Sequence, residues 1–124
     1  MNLILLVAAG GAVGSVLRYL IASSIQRATG MHFPLGTVVV NITGCFMIGI
    51  LYVWIIQRED PREDMRALLI IGVMGGYTTF SSFSLETVAA MMQGNYGSAV
   101  LNVVVSVVAC LLGTMLGIAL ARHT

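Results

Sequence analysis

Charge is nearly absent from four long stretches of this chain, and that absence limits what it can fold into. Residues 1–17 carry no charged side chain, and after Arg18 and Arg27 an uncharged run extends from Ala28 to Gln57, apart from the titratable His32. Residues 67–85 form a third run, closed by Glu86, and 87–121 a fourth. A bilayer core takes about 20 apolar residues per helix. Four spans therefore fit, near 2–24, 36–57, 67–93 and 97–121. Only 9% of the 124 residues are charged and 58% are hydrophobic, where a soluble domain carries about a quarter charged residues. The first run is not read as a signal peptide: it has no basic leading region, continues past Arg18 and shows no clear A-x-A site. The expectation is an all-α membrane protein, one four-helix transmembrane domain over residues 1–124, with no room for a soluble domain.

Four spans put both termini and the 2–3 loop on one side. That side carries Arg58, Arg62, Arg66 and Arg122; the other carries Arg18 and Arg27, and there is no Lys. Basic residues near span ends set orientation, and this difference is small. Insertion in both directions is expected, which would allow an antiparallel, dual-topology homodimer. Glycine spacings of four at Gly10/Gly14 and Gly113/Gly117 suit close helix approach. They can serve contacts between subunits or packing within one. The run 58-REDPREDMR-66 reads as a solvated turn stopped by Pro61.

Polar residues inside the spans follow helical spacing. Thr37, Asn41 and Cys45 share one face of the second span. Asn41 must find partners where there is no water. Asn102, Ser106, Cys110 and Thr114 form a stripe on the fourth span, rising about 18 Å at 1.5 Å per residue. Each stripe can be helix–helix glue or the lining of a path for something that sheds its water. Arg18 can snorkel to the interface or add positive potential at a vestibule. Cys45 and Cys110 read as small packing residues; neither a disulfide nor a metal site is expected of them, because no Cys or His lies nearby in sequence. His32 and His123 read as interfacial.

The third span has a different texture. In 75-GGYTTFSSFSLET-87, two glycines precede five Ser/Thr hydroxyls within the seven residues Thr78 to Ser84, interleaved with Phe80 and Phe83 and followed by Glu86. Each glycine weakens a helix by about 1 kcal/mol relative to Ala, and Ser/Thr side chains compete for backbone groups. A break with Gly75-Gly76 as its hinge is expected, followed by a second helix from about Phe80 to Met92. A break in mid-membrane leaves free carbonyls on one side and free N–H groups on the other. Such groups must face protein, water or an ion. Phe80 and Phe83 either pack together or present their positive ring edges to a small anion. Glu86 reads as a structural hydrogen-bonding group.

GGYTTFSSFS at 75–84, GTVVVNITG at 36–44 and GGAVGSVLRYLI at 10–21 together resemble the CrcB, or Fluc, family of fluoride channels, over nearly the whole chain. The resemblance implies an antiparallel dual-topology homodimer with two fluoride pores in the bacterial inner membrane, exporting fluoride passively and protecting the cell. It implies a structural sodium ion at the dimer centre, held by the backbone carbonyls of Gly75 and Thr78. It implies pore roles for Asn41, Phe80 and Phe83, for the hydroxyls of Ser81 and Ser82, and for the track Asn102, Ser106, Cys110 and Thr114. Arg18 matches a vestibule arginine. Cys110 is a poorer donor than a hydroxyl. The partners implied are fluoride, sodium, membrane lipid and a second copy of the chain; no nucleic acid is expected.

Two other classes compete. A small multidrug-type proton-coupled exporter has similar length and span number, but needs a membrane-embedded acid, typically in the first span. Here that span has none, and Glu86 is the one candidate. A structural membrane subunit without a pathway would show no flux to lose. An enzyme is not expected, because no nucleophile–base pair or metal cluster falls within the spans.

Overall fold

The computed structural model describes residues 2–57 and 62–124. The expected turn around Arg58 and Pro61 lies outside the described residues. Four helices are long and apolar enough to cross a membrane: Leu3–Thr29, Leu35–Ile56, Glu63–Met92 and Tyr96–Arg122. There is no strand among the described residues.

Helix α1 (Leu3–Thr29) is capped at its start by the Asn2 side chain, which accepts from the Ile4 N–H at 3.0 Å. It ends at Gly30, whose left-handed φ of 59° is one that a residue with a Cβ adopts only at a cost. It runs on past the expected end near residue 24 because Gln26 ties it to the following turn. The Gln26 amide donates to the Met31 and Phe33 carbonyls at 2.6 and 3.1 Å and accepts from the Gly36 N–H at 3.2 Å. Helix α2 starts at Leu35 and runs through Leu51 as α-helix; Tyr52–Ile56 continues it as π-helix.

The third span opens with a turn of α-helix at Glu63–Met65, winds as π-helix over Arg66–Met74 and returns to α-helix at Gly75–Tyr77; together these residues, 63–77, are α3. Thr78 and Thr79 are extended, with φ/ψ of −81/158° and −151/123°. Helix α4 (Phe80–Met92) follows and ends before Gly94, at φ 77°. Helix α5 (Tyr96–Arg122) completes the chain. Gly75 is helical, at φ/ψ −62/−37°, so the glycine pair is not the hinge that its propensity suggests.

Two helix pairs build the bundle. Helix α1 packs along α3, and α2 packs along α5. Both approaches are set by glycine. A Cβ on Gly10 would strike the backbone of Leu68 and Val73, and one on Gly14 would strike Val73 and Tyr77. From the other side, a Cβ on Gly76 would meet the Gly11 carbonyl oxygen at 2.5 Å. Likewise, Gly117 lies against Phe46 and Gly49 against Thr114. Both glycine spacings thus serve packing within the subunit. This withdraws the support that Gly10/Gly14 and Gly113/Gly117 lend to oligomerisation. The outward surface is apolar, with large side chains such as Ile4, Leu85 and Met92 exposed, as lipid contact requires.

Candidate ion pathway

The extended pair Thr78–Thr79 would leave backbone groups bare in an apolar medium. Asn41 on α2 meets this need. Its Nδ2 donates to the Thr79 carbonyl at 2.9 Å, and its Oδ1 accepts from the Thr79 N–H at 2.8 Å. One amide therefore satisfies both backbone groups of one residue. The Thr79 hydroxyl caps α4 by accepting from the Ser82 N–H at 3.1 Å. It also lies 3.2 Å from the hydroxyls of both Ser81 and Ser82. Thr78 bonds backwards, its Oγ1 donating to the Met74 carbonyl at 2.9 Å. Tyr77, buried just before the extended pair, shares a hydrogen bond with Thr43 at 2.9 Å.

The two polar stripes line two cavities in series. The narrower, about 350 Å³, is lined by Asn41 and Cys45 of α2, Thr78 and Thr79, Phe80 and Phe83 of α4, and Ser106 and Cys110 of α5. The rings of Phe80 and Phe83 are 5.3 Å apart between centroids and tilted by 49°. The wider cavity, about 720 Å³, has Thr37, Glu86 and Asn102 in its wall, with Gln26, His32 and Gln93 nearer the mouth. Asn102 is nearly fully buried, at 2% exposure. Its Nδ2 donates to Thr87 at 2.9 Å, and its Oδ1 accepts from Ser106 at 3.2 Å. That last bond joins a wall residue of the wide cavity to one of the narrow cavity. Thr37 donates to the Glu86 Oε1 at 2.7 Å, while the buried Oε2 has no hydrogen-bond partner among the described residues.

The structure thus brings together Asn41, Phe80, Phe83, Ser106 and Cys110, with Asn102 one turn away. It does not bring Ser81, Ser82 or Thr114 to either cavity. Ser81 and Ser82 belong to the cap, and Thr114 donates to the Cys45 and Cys110 carbonyls, both at 3.1 Å. Arg18 lines neither cavity. Gly75 lies outside both as well, and Thr78 lines the narrow one. Cys45 and Cys110 are not isolated packing residues. They share the narrow cavity, where Cys45 packs against the turn of α5 that follows Cys110: a Cβ on Gly113 would stand 3.9 Å from the Cys45 Cβ. Spacing of Cys within the sequence could not show this, because the pair is joined only by the α2–α5 crossing. Sequence reasoning also passed over Thr79, Thr87 and the mouth residues Gln26 and Gln93. For Thr79 a signal existed: a hydroxyl three residues before Ser82 at a helix start.

The sequence profile of the family described as "CrcB-like protein, Camphor Resistance (CrcB)" matches residues 5–118. A protein of Rhizobium meliloti (strain 1021) is 48% identical over 122 residues, covering 98% of each chain. One of Geobacter sulfurreducens is 44% identical over 123 residues, covering 99% of each. One of Coxiella burnetii (strain Dugway 5J108-111) is 43% identical over 121 residues, covering 97% of this chain and 98% of the relative. All three carry the name "Fluoride-specific ion channel FluC".

Proposed function

Because the chain belongs to the CrcB family, we propose that it is a fluoride channel, through which the ion leaves the cell passively across the bacterial inner membrane. The observation that carries this reading is the meeting of the two stripes. Thr37, Asn41 and Cys45 of α2 share the walls of two successive cavities with Asn102, Ser106 and Cys110 of α5. Fluoride is small and strongly hydrated, so fixed donors must replace its water. Each Asn amide has two donor hydrogens. Asn41 uses one on Thr79 and keeps one for the ion, and Asn102 does the same with Thr87. The Ser106 hydroxyl can turn from Asn102 towards the ion, since its proton rotates. The positive edges of Phe80 and Phe83 complete a neutral donor set. Ser81, Ser82 and Thr114 then position the pathway without lining it. Arg18 contributes, at most, long-range positive potential.

In this reading, the third span works as a broken helix with its ends at Thr78–Thr79. The working unit is an antiparallel dual-topology homodimer. Two features support it: the small difference in basic residues between the two sides and the 79% exposure of Phe80, a cavity-lining residue, in a single subunit. The carbonyls of Gly75 and Thr78 fit a sodium ion, because they are hard oxygen donors beside the break. The Gly75 backbone is also open: a Cβ there would meet nothing nearer than the Ile70 oxygen at 3.9 Å. Two carbonyls are too few for the ion, so a second copy would have to supply the rest. Bound there, sodium supplies a fixed positive charge that eases an anion into a low-dielectric region. A proton-coupled exporter is not supported: the relatives are named fluoride-specific ion channels, and Glu86, the acid of α4, accepts a hydrogen bond from Thr37.

Expression in a bacterium lacking its own fluoride exporter tests the proposal. Growth in fluoride-containing medium should be restored. Unchanged sensitivity, with the protein present in the membrane, would overturn it.

A further inference from the structure

Three observations place two thiols in the narrow part of the pathway. Cys45 and Cys110 both line the cavity that Phe80 and Phe83 also line. The Thr114 hydroxyl donates to the carbonyls of both cysteines, 3.1 Å from each, and so fixes the two backbones side by side. The Cys45 side chain lies against the same stretch of α5 as Cys110: a Cβ on Gly113 would stand 3.9 Å from the Cys45 Cβ. The surrounding donors are poor ligands for a hard metal. The Asn41 oxygen is occupied by the Thr79 N–H, and no group of three or more His, Cys, Asp or Glu side chains suited to a metal occurs among the described residues.

We propose that Cys45 and Cys110 form a two-sulfur site for a soft divalent cation of linear preference, which plugs the pathway when bound. Sulfur ligands select soft metals, and a linear two-coordinate ion such as Hg2+ needs no third ligand. Zn2+, which takes four, cannot complete its shell here. Charge adds to the selection. Two thiolates neutralise a divalent ion, leaving no net charge in a low-dielectric wall, whereas a monovalent soft ion leaves one negative charge. On binding, two S–H bonds break and two S–Hg bonds form. Two protons pass to the buffer, the ligands previously on mercury leave, and no electron is transferred. The plugging, though not the binding, rests on the reading of this cavity as the fluoride path.

The test uses the purified full-length protein, with Hg2+ as the probe and Zn2+ as the control. Mercury-to-thiolate absorbance, proton release and the count of free thiols after denaturation report binding without reference to flux. The site predicts one Hg2+ per chain, two protons released and both cysteines of the chain lost together, with Zn2+ inert. In liposomes, micromolar Hg2+ should stop fluoride efflux. For Cys45→Ser and for Cys110→Ser alike, each normalised to its own unblocked flux, half-block should need roughly a hundredfold more Hg2+, as expected when an intramolecular second ligand is lost. Two Hg2+ per chain, or either single variant binding as the parent does, would overturn the site. Correct stoichiometry with unimpeded fluoride flux would leave the site standing and overturn the plugging. Absence of fluoride flux before mercury is added would instead count against the channel reading.

Discussion

Asn41 does two things with one amide. It satisfies both backbone groups of Thr79 and has a second N–H, which the proposed pathway assigns to the ion. Asn41→Ala would strand a buried N–H and a buried carbonyl, at about 1–3 kcal/mol for each unsatisfied group. Thermal unfolding in detergent should fall clearly, and fluoride flux should be lost with it. An unchanged midpoint would show that the Thr79 backbone has other partners. Phe80 is the opposite case. At 79% exposure in one subunit it contributes little to packing, so Phe80→Ile should leave the unfolding midpoint nearly unchanged. Flux should fall about two- to tenfold, matching the roughly 0.5–1.5 kcal/mol that an oriented aromatic contact is worth. Equal flux in the variant would remove the ring edges from the account. The need of Asn41 for a partner was legible in the sequence, because an amide in an apolar span must bond to something. Its partner was not: Thr79 lies 38 residues on, and only the α2–α3 packing brings the two together.

At the scale of the helix, the glycines carry the argument. Helix propensity places the break of the third span at Gly75-Gly76, yet those residues stay helical and the chain extends at Thr78–Thr79. The reason is tertiary. A Cβ on Gly76 would strike the Gly11 backbone, so glycine there serves the α1–α3 approach, and the Thr79 backbone groups are taken by Asn41 where the chain extends. A propensity of about 1 kcal/mol gives way to such contacts. The same close approach makes Gly14 intolerant of any side chain. Gly14→Ala would push a methyl into the backbone of Val73 and Tyr77, and over-packing of this kind costs typically 1–3 kcal/mol. Gly11→Ala is the control, since a Cβ there meets nothing within 4 Å. Its unfolding midpoint should hold or rise. If the two variants unfold alike, α1 and α3 do not pack as described. Helix number and rough limits were readable from the uncharged runs, because the bilayer dictates length. The π-helical winding of Arg66–Met74 left no mark in composition, and the structure offers no single residue that explains it.

For the whole molecule, the question is how elements far apart in a 124-residue chain come to line common cavities. The two stripes were visible as helical spacings, but their meeting depends on the α2–α5 crossing set by Gly49, Gly113 and Gly117. The wide cavity was not visible at all, because its lining residues Gln26, His32 and Gln93 come from separate parts of the chain. Dual topology belongs to this scale too. A C-terminal tag probed from each side of the membrane should be accessible from both; accessibility from one side alone would rule out the antiparallel dimer. The central claim, a passive path selective for fluoride, is tested most directly by ion efflux. The purified protein is placed in liposomes loaded with potassium fluoride or potassium chloride, with a potassium ionophore and no proton gradient. Fluoride should leave rapidly while chloride stays. Retention of fluoride, or release of both halides at similar rates, would contradict the account.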